Sequence, residues 1–135
     1  MIPKVIHYCW FGKKELPKLA QKCIDSWKKY MPDCVIKEWN EDNFDVNIIP
    51  YTQEAYKSKK YAFVSDFARF YILYKYGGIY LDVDVELIKP LDDLLNYKVI
   101  LGFESIGRVA TGLICASEPG EIFLKDMINM YKNLN

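Results

Sequence analysis

Apolar residues along this chain recur with two different periods, and the places where the period changes divide it into elements. The opening "PKVIHYCWFG" is dense in β-branched and aromatic residues and closes on Gly12, so residues 4–10 are expected to form a strand. From Pro17 the apolar positions Leu19, Ala20, Cys23, Ile24 and Trp27 fall at helical spacing, and Pro32 stops that helix near Tyr30. "CVIKEW" reads as a second short strand and "NEDNFDVN" as a polar turn. A β-α-β unit is therefore complete by residue 40, the opening of an α/β sheet.

Residues 51–57 suit a short helix or turn, and residues 60–76 the longest helix. On a wheel of about 100° per residue this helix is apolar over most of its circumference, through Phe63, Val64, Phe67, Ala68, Phe70, Tyr71, Ile72 and Tyr74. Such a helix belongs inside the molecule. Its polar groups are Lys75 near the end and a narrow stripe of Ser65, Asp66 and Arg69. "YGG" ends it, with Gly77 or Gly78 free to take the left-handed cap conformation, and Ile79–Asp82 follows as a strand. "ELIKPLDDLLNY" reads as a strand end, a Pro-marked turn and one helical turn; "KVILGFE" and "ATGLICAS" read as further strands around "SIGRV". Residues 119–133 suit a closing helix with Ile122, Phe123, Met127, Met130 and Tyr131 as its apolar positions.

At 135 residues, 51% of them hydrophobic, the chain fits one domain, residues 1–135, with a real core. Lys+Arg and Asp+Glu both total 18, so no overall field favours nucleic acid, and a charged partner needs a local cluster. No apolar run reaches the roughly 20 residues of a transmembrane helix, and no secretory pattern opens the chain. Cys9, Cys23, Cys34 and Cys115 form no CxxC pair and sit in apolar surroundings, as reduced thiols of a cytoplasmic protein do. With His7 as the single histidine, a Cys/His zinc site is not expected; His7 itself reads as a hydrogen-bonded core residue.

The unusual feature is "IYLDVDVEL", where an apolar strand runs into Asp82 and Asp84, with Glu86 beyond. In extended chain, residues two apart share a face, so the two aspartates face one way while Leu81, Val83 and Val85 pack behind. Carboxylates that close repel unless a cation joins them, and a small set of hard oxygens suits Mg²⁺ or Mn²⁺. Strand ends of this kind border the ligand crevice of open α/β sheets. A DxD pair alone is equally the composition of a solvated turn. Here, however, the buried helix carrying Asp66 and Arg69, three apart and able to pair, feeds directly into it, so the stripe and the doublet border one cleft.

"AFVSDFARFYILYKYGGIYLDVD" resembles the signature of glycosyltransferases with a DxD sugar-binding motif, a family that includes capsular and cell-surface polysaccharide transferases, yeast mannosyltransferases and clostridial glucosylating toxins. The pattern A-x-x-S-D-x-x-R, helix, G-G-x-Y-x-D-x-D is met by Ala62, Ser65, Asp66, Arg69, Gly77, Gly78, Tyr80, Asp82 and Asp84. "IPKVIHYCWFG" is similar to the family's opening motif through His7, Trp10 and Gly12.

The resemblance implies an α/β fold of GT-A type, the Rossmann-like nucleotide-diphospho-sugar transferase fold. By that likeness the chain is expected to hold mainly the donor half of the fold and to be truncated on its C-terminal side. It implies transfer of a hexose from a UDP- or GDP-sugar to an acceptor hydroxyl, dependent on Mn²⁺ or Mg²⁺ and retaining the anomeric configuration. Asp84 would bind the metal directly, and Asp82 would hold ribose or sugar hydroxyls and reach the metal. Asp66 and Arg69 would be the catalytic pair on the donor sugar, with Arg69 also near the diphosphate. Ser65 and Tyr80 would line the nucleotide and phosphate, and Cys9, Trp10 and Phe11 would flank the base, with Trp10 as the stacking platform. Glu104 and Thr111 fall on later expected strands and are given no role in the site. A Lys/Ile/Tyr/Asn-rich composition points by analogy to bacterial capsule or cell-surface polysaccharide synthesis. The acceptor is then a glycan or lipid-linked glycan, and the enzyme is cytoplasmic or at the inner membrane face. Two alternatives are carried forward. One is a haloacid-dehalogenase-type phosphatase with Asp82 as nucleophile and Asp84 as acid/base; the other is a non-catalytic nucleotide-sugar-binding remnant.

Overall fold

The computed structural model of the chain describes residues 1–101, 103–105, 108–109 and 114–134. The expected β-α-β opening is present as β1 (Val5–Cys9), α1 (Lys18–Tyr30) and β2 (Val35–Trp39). Then come α2 (Pro50–Lys57), α3 (Tyr61–Tyr76), β3 (Gly78–Leu81) and a single 3-10 turn at Asp92–Leu94. β4 (Val99–Leu101), β5 (Phe103–Ser105), β6 (Arg108–Val109), β7 (Ile114–Ser117) and α4 (Ile122–Lys132) complete the order. β5 and β6 pair as a separate ribbon, while the other strands form a five-stranded sheet in the order β2-β1-β3-β7-β4.

β1 runs parallel to both β2 and β3, and β7 runs antiparallel to β3 and β4. The chain leaves β1 toward one edge through α1 and returns to its other side through α2 and α3. The boundary between β1 and β3 is thus a topological switch point, where crevices open beyond the strand ends. Side chains of the central strands alternate between two cores. Ile6, Tyr8, Ile79 and Leu81 pack with Ile24 and Trp27 of α1, whereas Cys9 and Tyr80 pack with α3, α2 and α4.

α3 is buried along most of its length, because sheet, α2 and α4 all lie against it; Val64, Phe67, Ala68, Ile72 and Leu73 are inaccessible to water. Its two ends are the exceptions, with Phe63 in the first turn 45% and Tyr76 in the last turn 47% exposed. Leu19 is likewise exposed in the first turn of α1.

α4 differs from expectation in its phase. Pro119 and Gly120 form a turn tied by the Gly120 N–H to the Tyr74 carbonyl at 2.8 Å, and the helix begins only at Ile122. Leu124 and Ile128 are buried, with Met127 and Tyr131 packed beside them, a spacing of three and four residues. Ile122 is left 74% and Met130 50% exposed, and Phe123 also faces outward.

β3 stops at Leu81, one residue before the expected end, and its antiparallel register with β7 runs from Gly78 opposite Ser117 to Leu81 opposite Ile114. Asp82 therefore opens a turn, closed by the Val85 N–H on its carbonyl at 3.0 Å. No strand forms at "ELI". "KVILGFE" divides into β4 and β5, and of "ATGLICAS" Ile114–Ser117 is strand; residues 110–113 lie outside the described residues. All four cysteines are free thiols, three of them buried.

The α3-to-β3 turn fixes where β3 starts. Gly78 has φ +116°, and a Cβ there would come within 2.7 Å of the Val5 carbonyl oxygen and 2.9 Å of His7 Nε2. Only glycine lets β3 lie this close to β1. His7, 2% exposed, donates from Nε2 to the Gly77 carbonyl at 2.9 Å and accepts at Nδ1 from the Trp39 indole at 3.1 Å. It is the hydrogen-bonded core histidine expected.

Candidate active site

A cleft of about 530 Å³ opens beyond the carboxyl ends of β1 and β3. The end of β1 contributes Cys9, Trp10 and Phe11 to its wall; the first half of α3 contributes Ser65, Asp66 and Arg69; and the end of β3 contributes Tyr80, Asp82 and Asp84. Every site residue expected from the sequence thus lines one cavity, joined by Lys14, Tyr61, Ala62 and Val83. Tyr80 and Asp82 reach it by strand alternation, while Asp84 is brought in by the turn rather than by an extended strand. Glu104 and Thr111 lie outside the residues whose side chains are described.

Arg69 is the electrostatic centre. Its residue is 7% exposed, and Nη2 lies 3.2 Å from Asp66 Oδ1 and 3.4 Å from Asp82 Oδ1, so one guanidinium joins helix to strand. Beneath it the Tyr80 ring lies 5.1 Å from Cζ, an attractive placement for a cation. Its Nε is buried with no hydrogen-bond partner, although a buried donor of this kind is costly to leave unpaired.

Burial pushes the Asp82 carboxyl up to about 6; Arg69 opposes that rise and the neighbouring Asp84 adds to it. Burial also raises Asp66, again against the pull of Arg69. Three carboxylates, Asp66, Asp82 and Asp84, face two cations, Arg69 and Lys14, in the cleft lining, a balance that an added cation would restore. Among the described residues no group of three or more His, Cys, Asp or Glu could cage a metal alone. One half-buried and one exposed carboxylate, Asp82 and Asp84, suit Mg²⁺ or Mn²⁺ when water and phosphate oxygens complete the shell. Cys9, which burial pushes to about 12, is no thiolate. It serves as cleft floor, not nucleophile.

Trp10 is half-buried and donates its indole N–H to the Lys14 carbonyl at 2.7 Å, which fixes the ring at the mouth. Beyond it a second hollow of about 540 Å³ continues past Lys13, Asn40 and Asp42.

Sequence reasoning missed the groups that hold these walls. Glu41 accepts from the Gly12 N–H at 2.7 Å and from the Tyr56 hydroxyl at 2.9 Å, pinning the loop after β1 to α2. Trp27, read only as an apolar position of α1, donates its indole N–H to the Val85 carbonyl at 2.8 Å, and Ser26 Oγ accepts the Leu87 N–H at 2.9 Å. The turn bearing Asp82 and Asp84 is thereby anchored from the far side of the sheet. The one available signal was that a buried indole N–H needs an acceptor.

Residues 17–100, which include α3, the glycine turn and the acidic turn, match the profile of the family described as "Glycosyltransferase sugar-binding region containing DXD motif". The chain belongs to that family. Among its relatives, inositol phosphoceramide mannosyltransferase 3 of Schizosaccharomyces pombe is 40% identical over 104 residues, covering 71% of this chain and 28% of the relative. Mannosyl phosphorylinositol ceramide synthase CSH1 of Saccharomyces cerevisiae is 31% identical over 133 residues, 93% of this chain and 34% of the relative. The chain thus spans about a third of the length of these relatives or less. Among solved structures, the PaToxG glycosyltransferase superposes with a TM-score of 0.75 at 19% identity, over 95% of this chain and 59% of that one. The glycosyltransferase fold expected from the motifs is the fold observed, and the phosphatase alternative is set aside.

Proposed function

We propose that this glycosyltransferase binds a nucleotide diphosphate sugar together with Mn²⁺ or Mg²⁺ and passes the hexose to an acceptor hydroxyl. The observation that carries the reading is Arg69, which is buried, held by Asp66 and Asp82, and has an unpartnered Nε within the cleft wall. A planar guanidinium so placed suits the two-pronged recognition of phosphate oxygens.

Asp84 and Asp82 would hold the divalent ion, which when bound neutralises charge growing on the departing diphosphate. Arg69 stabilises the same charge from the opposite wall. Asp66 orients the donor sugar and suits the positive charge that builds on its ring. Trp10 offers a flat face to the base, with Cys9 and Phe11 beside it, and Ser65 and Tyr80 line the passage between base and phosphate.

The relatives named above carry mannose and inositol phosphoceramide in their names. We therefore take mannose as the first donor sugar to test and an anionic, lipid-borne hydroxyl as the first acceptor, with capsular or cell-surface polysaccharide assembly at the inner membrane face as the alternative setting. Calorimetric titration with GDP and UDP, with and without Mn²⁺, tests donor binding. Metal-dependent binding that Asp84→Ala abolishes is expected, and unchanged affinity in that variant refutes the assignment. Mass analysis of GDP-mannose after incubation separates turnover from a binding remnant.

A further inference from the structure

Around the cleft mouth the surface charge is uneven although the chain as a whole is neutral. The link from α2 to α3 reads "KSKKYAF", and Lys57, Lys59 and Lys60 are all exposed. Among the described residues none of the three has an ion-pair partner. Directly after them Tyr61 and Ala62 enter the cleft wall, and Phe63 is left exposed with Lys60 Nζ 5.9 Å from its ring centre. Aromatic contact continues from Phe63 through Tyr51, at 6.5 Å, to Tyr131 of α4, at 5.0 Å.

We propose that this face docks on an anionic lipid surface, with Lys57, Lys59 and Lys60 at the headgroups and Phe63 inserted among them. Unpaired lysines beside an exposed aromatic side chain are a combination that gains from phosphate headgroups and from the acyl boundary at once. A soluble acidic partner would use the lysines but leave Phe63 in water. Because Tyr61 lies in the cleft wall one residue from Lys60, docking brings the mouth of the cleft to the headgroup layer. The docking itself stands on the surface alone; delivery of a lipid-borne acceptor rests on the sugar-transfer reading.

The test is co-sedimentation with phosphatidylcholine vesicles, plain or containing about 30% phosphatidylserine. Nucleotide titration with Mn²⁺ is run in parallel on the parent chain, on a Lys57→Gln/Lys59→Gln/Lys60→Gln variant and on Phe63→Ser. Each lysine near such a surface strengthens binding by about fivefold, so the triple variant is expected to lose anionic-vesicle binding by at least about tenfold. Phe63→Ser is expected to lose a smaller factor, both variants keeping nucleotide affinity. Equal binding to plain vesicles, no binding to either kind, or unchanged binding by both variants would overturn the proposal. Self-association removed by Phe63→Ser, without vesicle binding, would overturn it in favour of a second copy of the chain. Vesicle binding without nucleotide binding would sustain the docking and sink the sugar-transfer reading instead.

Discussion

Replacing Arg69 separates the roles of charge and shape in the cleft. Arg69→Met removes the cation from between Asp66 and Asp82, whose side chains are 34% and 32% exposed. Losing one member of a fully buried pair costs about 3–5 kcal/mol, and partial access to water reduces that here to about 1–2 kcal/mol of stability. Donor affinity suffers more. A charge-assisted hydrogen bond contributes about 1.5–3 kcal/mol, so GDP or UDP binding in the presence of Mn²⁺ is expected to weaken roughly 10- to 150-fold. Arg69→Lys keeps the charge but not the fork, and about tenfold is expected of it. Isothermal titration measures both, with thermal unfolding recorded alongside to show that each variant is folded. Arg69→Met binding within about threefold of the parent, on a folded protein, would remove the guanidinium from the donor site and with it the main support for the functional reading.

Three further outcomes are expected. Gly78→Ala, which drives a methyl into the Val5 carbonyl, should cost about 3 kcal/mol or more. Gly120→Ala, at φ +78° with open space around it, should cost only about 1 kcal/mol; equal melting temperatures for the two would deny the close approach of β3 to β1. His7 is held neutral, burial lowering its pKa below 6.5, so its contribution to stability is complete above that value and is lost as pH falls through it. Asp82, raised to about 6, slopes the other way, and the test is therefore the difference between parent and His7→Gln in urea melts at pH 7.5 and 5.5 (both about neutral to mildly acid), where an identical pH slope in the two refutes it. Trp27→Phe leaves the Val85 carbonyl without its indole donor and should lower stability by about 1–3 kcal/mol and weaken Mn²⁺-dependent nucleotide binding; stability lost with binding intact would show that the acidic turn does not depend on this anchor.

Much of the fold is local in origin and so could be read directly. α3 carries apolar residues on nearly every side and has a glycine pair at its end, and both its burial and its exit follow from that. β1 and β2 are short β-rich runs bounded by breakers. The phase of α4 was not legible, because "IFLKDMINMYK" has apolar residues all round and supports two inward faces equally well. Contact with α3 chose Leu124 and Ile128 over Ile122 and Met130. The end of β3 was hidden for a related reason. "LDVDVEL" alternates without a break, whereas the chain turns after Leu81, where the Val85 N–H closes on the Asp82 carbonyl. In the cleft, the residues recruited by motif line one cavity, while Trp27, Ser26 and Glu41 act across the chain over distances that no periodicity encodes.

The two sequence motifs, some fifty residues apart, form one structural unit, and this is why both bear on the site. β1 lies beside β3 in parallel register, Ile6 opposite Ile79 and His7 opposite Tyr80. At its start β1 meets the glycine turn, where His7 holds the Gly77 carbonyl and leaves no room for a side chain on Gly78. At its far end, roughly 10 Å further along at about 3.3 Å per residue, it places Trp10 across the cleft mouth from Asp82. A slip of β3 by one residue would turn Tyr80 and Asp82 toward α1, into the core around Ile24 and Trp27, and Ile79 and Leu81 toward Arg69. That arrangement buries a carboxylate away from its guanidinium and strands the guanidinium against aliphatic carbon, each costing several kcal/mol. Packing and site electrostatics thus select the same register, and the histidine-glycine contact enforces it at the one point where β3 could otherwise slide.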